Sequence, residues 1–105
     1  MGAISWLDEV RDLSADADKP ASCDLHLFGS ARNQVAPRDL DLLVVYDDDA
    51  MMEMRLYRAR LEAVAVQKRL PALDFVTLTR SEERSTRFAR RERAVLVEDA
   101  PRASA

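Results

Sequence analysis

Apolar residues at helical spacing follow Ser5, near the start of the chain. Serine commonly caps helix N-termini, and Asp8 stands three residues further on, where a capping box has its second member. The apolar residues that share one face of this stretch are Trp6, Leu7, Val10 and Leu13. We therefore predict that a first amphipathic helix begins here, and that the polar stretch 15–22, which contains Pro20, is the loop after it.

Short β-prone runs follow this predicted loop. Residues 23–28 and residues 39–46 are apolar runs rich in leucine and valine, and the polar stretch 30–38 separates them. Runs of this length and composition, bounded by turn residues, are typical of strands. We predict a strand at each, a third strand over residues 73–78 and a short final one over residues 94–97.

A long helix is predicted between the second and third strands. Helix-forming residues extend over about 50–70 and stop at Pro71, which cannot continue a helix. The three aspartates 47–49 stand where a helix N-terminus favours negative charge, so we interpret them as its cap. The apolar residues of this segment available for burial are Met51, Met54, Leu56, Ala59, Leu61, Val64 and Leu70.

A last helix is predicted after the third strand. Thr79 is followed by Glu82 at capping-box spacing, which indicates a helix that extends to about Arg93. Arginines recur along it every three or four residues, at Arg80, Arg84, Arg87 and Arg91. This stripe could contact RNA or an acidic partner, or it could be a solvated face paired with the interleaved glutamates.

Composition and charge narrow the class of protein. The chain has 105 residues, 48% hydrophobic and 33% charged, which suits one globular domain; we expect residues 1–98 to form it and residues 99–105 to be a flexible tail. The net charge of −3 gives no general attraction to nucleic acid or to an anionic membrane. The single cysteine, Cys23, fits a reducing compartment, and we expect a cytoplasmic protein with no membrane partner.

Two aspartates open the second predicted strand. Asp39 and Asp41 are separated by Leu40, so their side chains point to the same face of the strand. Adjacent carboxylates repel each other, and a divalent cation between them removes the repulsion. If the third strand pairs beside the second, Asp74 joins them, and three carboxylates can surround a metal pair suited to phosphoryl or nucleotidyl transfer. Alternatively, Asp74 is a turn residue.

A Gly-Ser pair closes the first predicted strand. Gly29 would let a phosphate approach the backbone closely. Backbone N–H groups and the hydroxyl of Ser30 could then hold its anionic oxygens. Alone this pair is an ordinary turn; it suggests a phosphate site only because the two aspartates follow it after a gap of eight residues.

Two apolar residues, Leu43 and Val45, share the strand face of the aspartates. If helices cover only the other face, these side chains need a partner subunit to cover them. The alternative is that they belong to one small core.

The pattern Phe28-Gly29-Ser30, then Asp39-Leu40-Asp41, with Asp74 on a later strand, resembles the nucleotidyltransferase superfamily of the DNA polymerase beta type. The short chain is similar to the minimal nucleotidyltransferases, which are often paired with HEPN-type partners. The resemblance covers roughly residues 23–79. The loop between the serine and the first aspartate is shorter than usual, and Arg32-Asn33 stands where Arg-Gly often follows.

The resemblance implies a mixed α/β (α+β) domain, with a single small mixed β-sheet and helices packed mainly on one face. It implies that Asp39 and Asp41 bind two Mg²⁺ ions, that Asp74 binds the catalytic ion and takes the acceptor proton, and that Gly29 and Ser30 hold the phosphates of ATP. AMP would then pass to a hydroxyl of a partner protein, such as a HEPN-type ribonuclease toxin, or of RNA. The alternative is an antitoxin of the same fold that masks its partner without catalysis.

Overall fold

One mixed β-sheet and four helices make up residues 5–29 and 37–98, which are the residues that the computed structural model describes. The elements in chain order are α1 (Trp6–Asp16), β1 (Cys23–Phe28), β2 (Asp39–Tyr46), α2 (Met51–Gln67), β3 (Ala72–Thr79), α3 (Arg80–Thr86), α4 (Phe88–Arg91) and β4 (Val95–Leu96). The predicted tail at residues 99–105 lies outside the described residues.

The strand order in the sheet is β3-β2-β1-β4. β1 is antiparallel to both β2 and β4, whereas β3 is parallel to β2. Parallel neighbours need a crossover connection, and α2 supplies it between β2 and β3. The predicted α+β class with a single mixed sheet is therefore confirmed, and the bounds of β1 and β2 are those that the sequence predicts.

The main core lies between one face of the sheet and the two longer helices. Its buried side chains come from α1, β1, β2, α2 and the segment after β4: Val10, Leu13, Ala17, Cys23, Leu25, Leu27, Leu40, Leu42, Val44, Tyr46, Met54, Tyr57, Leu61, Ala65 and Val97. A buried hydrogen bond of 2.6 Å joins the hydroxyls of Ser14 and Tyr57 and ties α1 to α2. Burial of this apolar surface is the main stabilisation of the fold.

The two short helices lie over the other face of the sheet. The ring of Phe88 on α4 packs edge-on against Phe28 on β1, with 5.2 Å between ring centroids. Leu43 and Val45 on this face are 0% and 4% exposed. They are therefore buried within this chain and need no partner subunit to cover them.

The start and packing of α2 differ from the sequence prediction. The N-cap residue is Ala50, and no side chain caps the helix, so the cap assigned to residues 47–49 was wrong. Asp47 and Asp48 instead bond to Arg80 and Ser81 on α3. The helix ends at Gln67, before the predicted residue 70. Of the apolar residues available for burial, Met51, Leu56 and Ala59 are exposed.

The last predicted helix is broken in two. The capping box is confirmed: the N–H of Glu82 donates to the Thr79 hydroxyl at 3.0 Å, and the N–H of Thr79 donates to the Glu82 carboxylate at 2.9 Å. However, Arg87 adopts a left-handed conformation with φ 53° and ends α3. The arginines of the predicted stripe therefore do not lie along one continuous helix. None of the described helices is long and apolar enough to cross a membrane.

The break at Arg87 predicts opposite effects of glycine at two nearby positions. Arg87→Gly should raise the free energy of unfolding by about 0.5–1 kcal/mol, because glycine adopts a positive φ without steric cost. Arg90→Gly, inside α4, should lower it by a similar amount, because glycine loses more backbone entropy than arginine when a helix forms. Urea unfolding measures both, and a loss of stability in both variants would indicate an unbroken helix.

Candidate active site

Parallel pairing of β2 and β3 brings the predicted carboxylates together. Asp41 is in register with Asp74, and Asp39 is in register with Ala72. Residues in register on neighbouring strands share a face, and Asp39 lies two residues before Asp41 on that face. The three carboxylates therefore lie near the start of β2 on one side of the sheet. Asp39 and Asp74 are exposed, and Asp41 is partly buried.

Gly29 lies directly against the carboxylate of Asp41. The antiparallel register places Phe28 opposite Asp41, and Gly29 follows with φ 78°. A Cβ built on Gly29 would lie 2.9 Å from Cγ of Asp41 and would overlap its Oδ2. The positive φ favours glycine, and any side chain at this position would also have to displace the carboxylate of Asp41. Ser30, predicted to hold phosphate, lies outside the described residues.

The electrostatics of this cluster are unfavourable in the absence of a cation. The pKa of Asp41 is raised above its usual value of 3.8, first by burial, then by the negative charge of Asp74 and then by that of Asp39. Within residues 5–29 and 37–98, no arginine or lysine forms a salt bridge with any of the three. Their mutual repulsion is therefore uncompensated by the described side chains.

The donor set fits a hard divalent cation, but the described side chains do not form a closed cage. Among the described residues, no group of three histidine, cysteine, aspartate or glutamate side chains is placed to hold a metal ion. Mg²⁺ in nucleotide sites is usually held by one or two carboxylates together with substrate phosphates. An open carboxylate pair, which a phosphate ligand would complete, satisfies that pattern.

A second acidic cluster lies at the opposite end of β2, and its carboxylates are held by an ion pair and hydrogen bonds from α3. Arg80 donates to Asp24 at 2.8 Å and to Asp47 at 2.5 Å, and the Ser81 hydroxyl and N–H donate to Asp48. Hydrogen bonds to the two carboxylates raise the pKa of Arg80 above its usual range. These contacts attach α3 to the sheet, so this cluster has a structural explanation.

Three further side chains complete the picture around β1. Cys23 is fully buried, and burial raises the pKa of its thiol. His26 is half-buried, and burial lowers its pKa; its Nδ1 has no hydrogen-bond partner among the described residues. Phe28 lies opposite Asp41 and shares the face of the carboxylates. The alternation of side chains between the two faces of β1 would have predicted this position from the sequence.

Comparisons with known proteins find one similar solved structure and no match to the sequence. No protein-family model matches the chain, and no curated protein matches it. Among solved structures, the chain is similar to one described as "Crystal structure of putative nucleotidyltransferase", with 18% identity, a TM-score of 0.48, and coverage of 90% of this chain and 100% of that chain. A likeness at this level of identity and TM-score does not support a functional assignment. The candidate site is therefore defined by the geometry of this chain's own residues.

The repulsion at Asp41 predicts that Asp41→Asn stabilises the metal-free protein. At pH 7 in a chelator, the free energy of unfolding should rise by roughly 0.2–1 kcal/mol, the size of one cross-strand side-chain interaction. Urea unfolding measures it, with Asp49→Asn as the control because Asp49 is exposed and lies beyond the other end of β2.

The pH dependence of this gain has a definite sign. The folded-state pKa of Asp41 lies above the unfolded value, so between the two values the folded state binds more protons and stability falls as pH rises. The advantage of Asp41→Asn should therefore be complete above the folded pKa and absent below the unfolded one. A lower stability of Asp41→Asn at pH 7 would mean that a favourable contact holds this carboxylate.

The contact between Gly29 and Asp41 predicts a coupled substitution. Gly29→Ala should cost about 1–3 kcal/mol of stability, because alanine adds backbone strain at a positive φ and its Cβ overlaps the carboxylate. In an Asp41→Ala background the overlap with the carboxylate disappears and only the 3.1 Å contact with Cβ of residue 41 remains, so the cost should fall to about 1 kcal/mol. A double-mutant cycle measures the difference; an equal cost in both backgrounds would show that the two residues do not touch.

Proposed function

We propose that the protein is a metal-dependent nucleotidyltransferase that transfers AMP from ATP to a hydroxyl group of a partner protein or of RNA. The observation that carries the proposal is the position of Asp41, which is packed against Gly29, in register with Asp74 and without a salt bridge among the described residues. Such an arrangement adds no stability to the fold, and a cation or ligand that binds beside Asp41 would explain it.

The chemistry of the site favours a phosphate substrate. Carboxylates on neighbouring strands are the ligands used by two-metal sites in polymerases, nucleases and phosphatases. The Gly-Ser turn beside them favours a triphosphate within this group, because glycine leaves room for an anion at the backbone. The sequence resemblance described above points to the same class.

Each site residue would have a separate role in the reaction. Asp39 and Asp41 would hold Mg²⁺, which when bound would neutralise the triphosphate and lower the pKa of the attacking hydroxyl. Asp74 would accept the proton of that hydroxyl as its oxygen bonds to the α-phosphorus. The bond from the α-phosphorus to the oxygen bridging to the β-phosphate breaks, and pyrophosphate leaves with the electron pair. Gly29 and Ser30 would position the β- and γ-phosphates.

A HEPN-type ribonuclease toxin is the partner that the resemblance suggests as acceptor. A second candidate function is masking of that partner without catalysis. It is favoured by the lack, within the described residues, of three side chains placed to hold a metal ion. The two functions differ in whether the aspartates are required.

Transfer of label from α-³²P-ATP with Mg²⁺, to a co-purified partner and to bulk RNA, tests the proposal. Wild type should label one acceptor, and Asp39→Asn or Asp41→Asn should reduce labelling at least about 100-fold, because either change removes an expected metal ligand. Asp49→Asn should label like wild type, since this exposed residue lies beyond the other end of β2.

Two results would contradict catalysis by this site. One is the absence of labelling by wild type with any of the four nucleotides in the presence of the partner. The other is full labelling by Asp41→Asn. If Asp41→Asn still neutralises the partner, masking is the function.

A further inference from the structure

Helix α4 and the residues on either side of it carry a concentration of positive charge that the proposed reaction does not use. Residues 84–93 contain five arginines and one glutamate, a net charge of +4, in a chain whose total net charge is −3. Arg87 precedes α4, and its carbonyl accepts the N–H of Arg91 at 2.9 Å, one helical turn away. Arg90 lies beside Arg91 in the same short helix, and all three arginines are exposed. We call these three residues the arginine cluster.

The glutamates of this region do not pair with the arginine cluster. Among the residues that the structure describes, no carboxylate forms a salt bridge with any of its three members. Glu82 accepts instead from the N–H of Thr79, and Glu83 from the N–H of Ala89 at 3.2 Å. Like charges one helical turn apart destabilise a helix. The cluster therefore adds no stability through ion pairs, and an anion bound to it would remove the repulsion.

The arginine cluster lies on the side of the sheet that carries the carboxylates. Phe88, the first residue of α4, packs against Phe28, and Phe28 is opposite Asp41. Because paired Cα atoms of neighbouring strands are about 5 Å apart, α4 lies roughly 10–15 Å from the carboxylates. Three or four stacked nucleotides span that distance, at about 3.4 Å each. A strand held by the cluster can therefore reach the candidate active site with its end.

The residues around the arginine cluster favour a phosphate backbone over an acidic protein. Between residues 80 and 93, all of which the structure describes, the apolar residues are Phe88 and Ala89, and both are partly buried. The core of a protein interface is apolar and is anchored by large side chains, which this surface does not present. A phosphate backbone needs no apolar anchor, because the planar guanidinium of arginine donates to two phosphate oxygens at once.

We propose that the arginine cluster binds the phosphate backbone of a single-stranded polynucleotide. Its guanidinium groups donate to phosphate oxygens, and release of counterions from the strand supplies affinity without any reading of sequence. A single strand bends from the cluster towards Asp41, whereas a duplex is stiff over this distance. Binding here would make RNA, and not a partner protein, the acceptor in the proposed function. Only this last step depends on the proposed function, and the binding does not.

Fluorescence anisotropy with labelled oligouridylate and oligothymidylate of about 12 nucleotides tests the proposal, in EDTA so that no metal ion contributes. Wild type should bind both, because they share the phosphate backbone, and the tighter one identifies the natural strand as RNA or DNA. Arg90→Gln with Arg91→Gln should weaken binding at least about fivefold. The slope of log affinity against log salt should fall in magnitude by about 1.4, since each phosphate contact on a single strand contributes about 0.7.

A matched variant removes the same charge elsewhere. Arg55 and Arg69 are exposed residues of α2 and its C-terminal flank, on the opposite side of the sheet. Arg55→Gln with Arg69→Gln should change affinity less than about twofold at about 0.1 M salt, because distant charges are screened.

Two further variants complete the design. Arg90→Lys with Arg91→Lys should keep the wild-type salt slope, because the charges remain. Thermal melts followed by circular dichroism report whether each variant folds. Arg87→Gln, with an expected change in slope of about 0.7, replaces the double glutamine variant of α4 if that variant does not fold.

Three results would overturn the proposal. The first is no binding of either oligonucleotide, and the second is an equal loss of affinity in the two double glutamine variants. The third is a polyglutamate peptide of equal length that binds as tightly as the oligonucleotides, which would make an acidic protein the partner. Cluster-dependent binding of oligonucleotides by a protein that transfers no label from ATP would support this proposal and contradict the proposed function.

Discussion

The parallel pairing of β2 with β3 is the constraint on which the candidate site depends. It places Asp41 beside Asp74, and the resulting repulsion destabilises this part of the sheet. Other interactions of β2 offset it, because both edges of the strand are paired and its leucines and valines from residue 40 to 45 are buried on both faces. A one-residue slip of register would turn the buried residues to the opposite faces, so burial fixes the carboxylates in place.

The two ends of β2 present contrasting acidic clusters. At its C-terminal end, Asp47 and Asp48 are bonded to Arg80 and Ser81, and this cluster joins α3 to the sheet. At its N-terminal end the carboxylates are paired with no described cation, and one of them packs against the backbone at Gly29. The first cluster is explained by the fold alone. The second has no compensating contact among the described side chains, which is why the proposed function is assigned to that end.

The sequence predicts the strands well because alternation and bounding turns are local signals, and β1 and β2 have the predicted bounds. It also places Asp39 and Asp41 on one face, whereas their meeting with Asp74 depends on the strand order and was only one alternative.

Tertiary contacts account for the errors. The aspartates after β2 are drawn to α3, and a left-handed Arg87 has no recognisable sequence signal. Helix α2 carries two apolar faces, and periodicity alone does not show which one is buried.

Paramagnetic broadening by Mn²⁺ tests the central claim, that the cluster at the start of β2 binds a divalent cation, most directly. In ¹⁵N-labelled protein titrated with substoichiometric Mn²⁺, the amide signals of Gly29, Asp41 and Asp74 should broaden first. Those of Asp47 and Ser81, about 20 Å away along β2, should broaden later. Earlier broadening of Asp47 and Ser81, or uniform weak broadening of all exposed carboxylate regions, would contradict the account.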